Sequence, residues 1–230
     1  MDLSFSTVEI LFQLIAFLFA ISFHESAHAW SANRFGDPTA RLLGRVSMNP
    51  VRHIDPIGTV LFPLLGAITH APIFGWAKPT PVDTARLRNP VRDNVMVAAA
   101  GPASNFLAAG GAVVLLLILR VASPEAARLV AGLASYRGVP PGDSLLHPVI
   151  LLLYSIMVIN VILAVFNLIP IPPLDGGHIL EGLLPEAARQ SFAQVRQYGF
   201  VLLFALLWFG GISSALFSPF LRFFNSILRI

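Results

Sequence analysis

Four long apolar runs dominate the sequence and restrict what the chain can fold into. They cover about residues 8–32, 93–121, 147–169 and 197–217. A helix rises about 1.5 Å per residue, so each run is long enough to cross roughly 30 Å of hydrocarbon. The chain of 230 residues is 56% hydrophobic and only 12% charged, which is too little polar surface for a water-soluble globule. The runs therefore predict an all-α polytopic membrane protein with four to five transmembrane helices.

A further apolar run, 57–69, is too short to cross a bilayer by itself. Pro56 and Pro72 enclose it, which favours a re-entrant segment or a tilted helix covered by protein. We expect an irregular, re-entrant or short β-like segment around 71–90. If it forms a strand, its exposed edge would hold an unwound peptide by β-augmentation. The aromatic tail, 218–230, is predicted to be an interfacial anchor.

Basic residues predict how the chain is oriented in the membrane. Arginines and a lysine crowd the loops on both sides of the short run, whereas the loop 122–146 holds only two arginines. The positive-inside rule places the crowded loops in the cytoplasm, with the loop 122–146 and the N-terminus outside. The net charge of +3 is thereby explained by topology, and we expect no nucleic-acid partner. The N-terminus lacks the basic region of a cleavable signal. We expect one membrane-embedded domain, 1–230.

The pentapeptide His24-Glu25-Ser26-Ala27-His28 lies near the end of the first apolar run. Residues i and i+4 share one face of a helix, so His24 and His28 can converge on one Zn²⁺. Glu25 beside them can act as the base that activates a water molecule. Ionisable groups are costly inside a bilayer, which favours a functional role for the three side chains. The chain has no cysteine, so a metal must be held by His, Asp or Glu.

A catalytic zinc usually takes three protein ligands, so the pentapeptide needs a partner. Asp175 is the carboxylate closest to an apolar run, in the stretch Asn167–His178. Three prolines before it and two glycines after it can unwind the backbone and turn it tightly. The third span descends to the same membrane face as the first. His53, in the arginine-rich loop, is the alternative third ligand, and Asp175 could instead be a turn residue or helix cap.

Taken together, these motifs resemble the site-2 protease family of intramembrane zinc metalloproteases, in its small form without a PDZ or CBS domain. The resemblance covers most of the chain and rests on His24–His28, Gly36–Ala40, Asn49–Thr59, Gly75–Pro79, Ala100–Asn105 and Asn167–Gly177. It implies one Zn²⁺ per chain, held by His24, His28 and Asp175, with Glu25 as the catalytic base. It also implies a catalytic role near the water or the substrate for Asn167.

The resemblance implies a zinc-dependent intramembrane endopeptidase that hydrolyses peptide bonds in or near transmembrane segments, in regulated intramembrane proteolysis. The expected partners are transmembrane protein substrates and the lipid bilayer. The expected location is the cell membrane, with several spans and the active site toward the cytoplasm. A substrate helix must unwind first, because its amides are shielded by i to i−4 hydrogen bonds.

Water must also reach a site inside the hydrocarbon layer. Asn105, His53 and Lys78 are candidates for lining its path or the substrate path. Asn105 could equally be a residue that hydrogen-bonds between closely packed helices.

Two other classes of function are possible for such a sequence. A catalytically inactive homologue would bind membrane proteins without cutting them, but such proteins typically lose a ligand or the glutamate. A transporter would use intramembrane His and Asp residues along a permeation path. Transporters usually show paired repeats, and we find no repeat in this sequence. The sequence does not indicate an oligomeric state.

Overall fold

The structure, a computed structural model, describes residues 7–69, 75–135, 144–209 and 212–229. The described residues contain ten α-helices: α1 (Thr7–Phe35), α2 (Thr39–Leu42), α3 (Phe62–Thr69), α4 (Pro90–Ala122), α5 (Pro124–Ala134), α6 (Leu146–Asn167), α7 (Asp175–Leu183), α8 (Glu186–Arg196), α9 (Gly199–Phe209) and α10 (Ile212–Arg229). Short 3₁₀ turns occur at Pro50–Arg52 and Thr84–Arg86, and a π-helical turn at Pro56–Leu61. No strand occurs in these ranges. The prediction of an all-α polytopic membrane protein is confirmed.

Within the described part of the chain, three helices are long and apolar enough to cross a membrane: α1, α4 and α6. They coincide with the first three predicted spans. The fourth predicted span, 197–217, falls on α9 and the start of α10, with residues 210 and 211 outside the described ranges. α9 has 11 residues, which corresponds to about 17 Å and is shorter than a full span.

The short apolar run forms a π-helical turn followed directly by α3. Asp55 starts the turn, because its Oδ1 accepts hydrogen bonds from the backbone N–H groups of Ile57 and Gly58 at 3.0 and 2.7 Å. The turn has six residues and α3 has eight, so together they measure about 21 Å and fall short of a full span. Gly58 allows the ring of Trp76 to pack on the turn, since a Cβ there would lie 2.4 Å from the ring.

The segment predicted to be re-entrant or β-like is irregular where it is described. Residues 71–74 of this prediction lie outside the described ranges, and residues 75–83 adopt no regular secondary structure. Their backbone bonds with scattered partners instead of a neighbouring strand: the N–H of Lys78 donates to the carbonyl of His53, and the guanidinium of Arg45 donates to the carbonyls of Lys78 and Pro79. Because these bonds form no ladder, the β-like alternative is wrong for this part of the segment.

A buried carboxylate attaches this irregular segment to the end of α1. Asp37 is fully buried and accepts hydrogen bonds from the N–H groups of Thr39, at 3.0 Å, and Asp83, at 2.7 Å. Burial alone would raise the pKa of Asp37, but hydrogen bonds from the hydroxyl of Thr39 and from these two N–H groups lower it below its usual value. Gly36 has a φ of 115°, which favours glycine, and a Cβ there would lie 3.1 Å from the carbonyl oxygen of Arg86. Residues 75–88 are thereby held beside the C-terminal half of α1.

α4 occupies the centre of the bundle and packs against α1, α5, α6 and α7. One end of the bundle is filled by large apolar side chains from α4, α5, α6 and α10, including the fully buried Leu116, Met157 and Leu228. Where α1 crosses α4 and α6, the buried α1 residues include the small Ala16 and Ala20. Small side chains allow helix backbones to approach closely, and the polar residues of the pentapeptide lie at this crossing.

Candidate metal centre

Two histidines from one face of α1 form the first part of the site. His24 and His28 lie one helical turn apart, and their Nε2 atoms are 3.0 Å from each other. Both residues are buried, with 5% and 7% of their surface exposed, and their rings meet edge to face. The i, i+4 spacing predicted this convergence.

The loop after α6 brings Asp175 to the same point. α6 ends at Asn167, and the proline-rich turn that follows leads into α7, which begins at Asp175. Gly176 permits this turn, because a Cβ there would lie 2.4 Å from the carbonyl oxygen of Leu168. The Oδ2 atom of Asp175 lies 3.1 Å from Nε2 of His24 and 3.3 Å from Nε2 of His28. The N-cap position of α7 belongs to Leu174, so Asp175 is not the cap of this helix.

The three donor atoms fit a tetrahedral metal ion. They are separated by 3.0 to 3.3 Å, and ligands about 2.0–2.1 Å from a tetrahedral zinc lie roughly 3.3 Å apart. Oδ2 of Asp175 is buried and has no hydrogen-bond partner, which is unusual for a carboxylate oxygen unless a cation binds it. Among the described residues, these two histidines and one aspartate form the group of side chains that could hold a metal ion. Two imidazoles and one carboxylate are a donor set typical of catalytic zinc.

The other nitrogen of each ring has its own buried partner. Nδ1 of His28 lies 2.7 Å from the carbonyl oxygen of Val97, and Nδ1 of His24 lies 2.6 Å from Oδ1 of Asn105. A carbonyl oxygen only accepts, so Nδ1 of His28 carries a proton, and in a neutral ring its Nε2 presents a lone pair to the cluster. Hydrogen bonds of this kind orient metal-binding histidines.

α4 approaches the two histidines closely because it carries a glycine at the contact. A Cβ on Gly101 would lie 2.4 Å from Nε2 of His28 and 2.6 Å from Cε1 of His24. Real Cβ atoms do not occupy such positions, so a side chain here would have to displace the rings or fill the space between the donor atoms. The absence of a side chain at Gly101 therefore leaves room for an ion.

We expect Gly101→Ala to weaken zinc binding by at least about tenfold, because the added methyl group displaces the donor nitrogens from their common point. Binding is measured by competition with a chelator on purified protein. Gly111→Ala is the matched control, since no atom lies within 4 Å of its added Cβ. It should leave zinc affinity unchanged and stabilise α4 by up to about 1 kcal/mol through helix propensity. Equal zinc affinity in both variants would show that a methyl group at Gly101 does not displace the donor nitrogens.

Glu25, the predicted base, faces the irregular segment described above. Its Oε2 accepts a hydrogen bond from the N–H of Thr80 at 2.8 Å, and its own carbonyl accepts from the hydroxyl of Thr80 at 3.1 Å. Glu25 is only half-buried, in contrast to the neighbouring histidines. Its carboxylate is thus held in one orientation at the border between the cluster and residues 75–83.

Of the other predicted site residues, Asn105 alone contacts the cluster. Asn167 donates a hydrogen bond from Nδ2 to the carbonyl of Leu163, one turn back in α6. Its role near water or substrate stays a prediction. His53 is fully buried and its Nε2 pairs with the carbonyl of Ser47 at 2.8 Å. It does not belong to the metal-binding group, so the structure places Asp175, not His53, beside the two histidines.

Lys78 is exposed, and its backbone joins the irregular segment to the loop of His53. The path that we predicted for water or substrate along Lys78, His53 and Asn105 stays a prediction. Sequence reasoning missed two residues of the site. Asn160 bonds to Asn105, and its presence inside an apolar span was a readable signal, since polar residues there are costly. Thr80 contacts Glu25 through its backbone N–H and its hydroxyl, and no sequence signal marks such a contact.

Comparison with known proteins agrees with this site. Residues 12–210 match the model of "Peptidase family M50". The chain is 35% identical over 195 residues to the "Putative zinc metalloprotease YwhC" of Bacillus subtilis, covering 84% of this chain and 78% of the relative. It is 29% identical to the "Putative zinc metalloprotease Rip2" of Mycolicibacterium smegmatis, covering 84% of this chain and 65% of that protein.

The Rip2 protein of Mycobacterium tuberculosis is 27% identical, with 89% of this chain and 72% of the relative covered. No solved structure matches the chain significantly. The family match and the relatives' names support a zinc metalloprotease, and the apolar helices support a membrane protein. The family model spans most of the sequence and includes all three clustered residues, so the chain belongs to peptidase family M50, the site-2 protease family.

Proposed function

We propose that the protein is an intramembrane endopeptidase that uses one zinc ion per chain to cut peptide bonds in or near transmembrane segments of other proteins. The observation that carries this proposal is that Asp175 meets His24 and His28 of the apolar helix α1. The carboxylate of Glu25 lies next to this cluster without belonging to it. α1 is long and apolar enough to cross a membrane. A cluster on such a helix acts on substrates that share the bilayer.

Each residue of the site then has a chemical task. When bound, zinc supplies Lewis-acid activation of a water molecule and of the scissile carbonyl. Glu25 accepts a proton from the attacking water at its carboxylate and returns it to the leaving amine. The N–H of Thr80, 2.8 Å from Oε2, orients this carboxylate. Asp175, His24 and His28 hold the ion.

The substrate must reach this site in an unwound form, because the amides of an intact transmembrane helix are already hydrogen-bonded within the helix. The irregular segment 75–83 lies directly beside Glu25, so we place the unwound peptide along it. Glycine and proline in the substrate span lower the cost of unwinding. We further propose that the protein is a multi-pass protein of the cell membrane, with the site toward the cytoplasm, the side on which the positive-inside rule predicts the basic loops.

The proposal is tested with the purified protein reconstituted in lipid vesicles together with a model single-span substrate. The substrate is made in two forms, one with Gly and Pro within its span and one with Leu at the same positions. We expect cleavage within the span of the first form, at least about tenfold faster than for the second, because the helix unwinds more easily. Cleavage sites are located by mass spectrometry.

Zinc dependence is measured in the same vesicles. Removal of zinc with a chelator should stop cleavage, and addition of zinc should restore it, because His24, His28 and Asp175 hold the ion that the chemistry requires. Cleavage that continues without zinc would overturn the mechanism. If the substrate stays intact in vesicles whose protein is loaded with zinc, this result would instead support an inactive homologue that binds membrane proteins without cutting them.

A further inference from the structure

We propose that Asn105, held in place by Asn160, is a positioning residue that sets the tautomer of His24 and thereby aims its Nε2 at the metal site. The proposal concerns three helices, since His24 lies in α1, Asn105 in α4 and Asn160 in α6. It rests on the proposed function only for the identity of the ion as zinc. The hydrogen-bonding geometry stands independently of any catalytic activity.

The two asparagines form a buried polar chain in the crossing of the three helices. Both are fully buried. Oδ1 of Asn105 lies 2.6 Å from Nδ1 of His24, while its Nδ2 donates to the backbone carbonyl of Ala20 at 3.1 Å and to Oδ1 of Asn160 at 2.7 Å. Nδ2 of Asn160 donates to the carbonyl of Ile156 at 2.8 Å. Buried polar groups in an apolar bundle are costly unless such bonds satisfy them.

The backbone carbonyls that accept from the two asparagines determine the direction of every hydrogen bond in this series. Backbone carbonyls only accept, so the amide nitrogen of Asn160 must face Ile156 and the amide nitrogen of Asn105 must face Ala20. Oδ1 of Asn160 is then left to accept from Asn105, and Oδ1 of Asn105 is left to accept from His24. An amide oxygen cannot donate, so Nδ1 of His24 must carry the proton. In a neutral ring, Nε2 then presents a lone pair toward Asp175.

His28 has an equivalent hydrogen bond from its Nδ1, but to a different kind of partner. Its Nδ1 donates to a backbone carbonyl, that of Val97, which no substitution removes. His24 depends on a side chain for the equivalent bond. Mutation of Asn105 can therefore measure what this bond contributes at His24. No mutation removes the corresponding bond of His28. Partners in the second layer of a metal site typically contribute 10- to 100-fold to metal affinity.

The competing explanation is a purely structural role for the two asparagines, since their hydrogen bonds also join α1, α4 and α6. Asn225 offers a matched control for that role. It is a buried asparagine of α10 whose Oδ1 accepts from the hydroxyl of Tyr154 at 3.1 Å. Replacing it removes a buried amide from the bundle but leaves the partners of His24 unchanged. Stability falls in both cases, whereas the tautomer and the zinc affinity change only if Asn105 positions His24.

The experiment compares full-length wild type, Asn105→Leu, Asn105→Asp, Asn160→Leu and Asn225→Leu, all purified in detergent. The tautomer of His24 is measured by ¹⁵N NMR of histidine-labelled, metal-free protein, with its signal assigned by His24→Gln. Zinc affinity is measured by chelator competition. Co²⁺, bound in place of zinc, reports the ligand geometry through its absorption spectrum.

We expect wild-type His24 to carry its proton on Nδ1 without metal. Asn105→Leu should lose this preference and bind zinc about 10- to 100-fold more weakly. Asn105→Asp keeps an acceptor for Nδ1–H but can no longer donate to Ala20 and Asn160, so its zinc affinity should fall less than that of Asn105→Leu. Asn160→Leu should give a smaller loss than Asn105→Leu, and Asn225→Leu should bind zinc as wild type does.

Two results would overturn the proposal. One is a neutral His24 ring in metal-free wild type that carries its proton on Nε2 and none on Nδ1, which needs no variant to be observed. The other is an unchanged tautomer and zinc affinity in Asn105→Leu. If wild type binds zinc and shows the expected tautomer but cuts no substrate, the proposed function fails while the positioning role stands. If wild type cuts substrate while Asn105→Leu matches it in tautomer and affinity, only the positioning role fails.

Discussion

Replacing Glu25 with glutamine is expected to abolish cleavage while the protein keeps its zinc. The glutamine side chain has nearly the same shape but cannot accept a proton from water, and general acid–base catalysis contributes about 10²- to 10⁴-fold to rate. Glu25 is not one of the three clustered donors, and its Oε2 is engaged by Thr80. We therefore expect a rate at least about 100-fold lower, measured by single-turnover cleavage in vesicles, and an unchanged zinc content by elemental analysis.

The matched control for this change is Glu125→Gln. It removes the same charge from the first turn of α5, outside the cluster, and should cut the substrate at the wild-type rate. Equal cleavage by Glu25→Gln and wild type would rule out the assignment of Glu25 as the base. Loss of zinc from Glu25→Gln would show that Glu25 helps to hold the ion, which the geometry does not predict.

The second large effect is expected for Asp175→Ala, which should lose zinc. Its Oδ2 lies 3.1 and 3.3 Å from the two Nε2 atoms, and two histidines alone do not complete a catalytic zinc site. The fall in affinity should exceed the 10- to 100-fold typical of an outer-layer partner. Zinc content after purification and affinity by chelator competition are the measurements, and cleavage should be lost in parallel.

His53→Ala separates ligand loss from general damage. His53 is fully buried and bonds to the carbonyl of Ser47, so its removal should destabilise the fold by about 1–3 kcal/mol. The folded fraction should nevertheless bind zinc with wild-type affinity. If His53→Ala loses zinc and Asp175→Ala retains it, the third ligand is His53 and the assignment of Asp175 is wrong.

Local patterns in the sequence were enough to predict the three long apolar helices and one half of the site. Apolar runs indicate spans because the bilayer demands a minimum length, and α1, α4 and α6 lie where such runs predicted them. The pairing of His24 with His28 follows from helix geometry alone. The predicted span 197–217 stays a prediction, because residues 210 and 211, between α9 and α10, lie outside the described ranges.

The irregular segment was not predictable in detail for a physical reason. Residues 75–83 have no periodic pattern, and their backbone bonds are made with Arg45, His53 and Glu25, which are distant in sequence. Only the folded loop brings these partners within reach. The hydrogen bond to the carboxylate of Glu25 comes from the backbone N–H of Thr80, a group that every residue except proline has, so the sequence offers no sign of it.

By itself, the sequence determined that the chain is helical and membrane-embedded, that two histidines and a glutamate share one helix, and that the chain bends before Asp175. These features depend on composition and on short-range spacing. The family resemblance implied Asp175 as the third ligand, but only the tertiary structure brought it, and not His53, beside the histidines, and only it showed that Asn105 and Asn160 join them. Those choices depend on how α1, α4 and α6 cross, because only the packing of distant helices brings polar atoms within hydrogen-bonding distance.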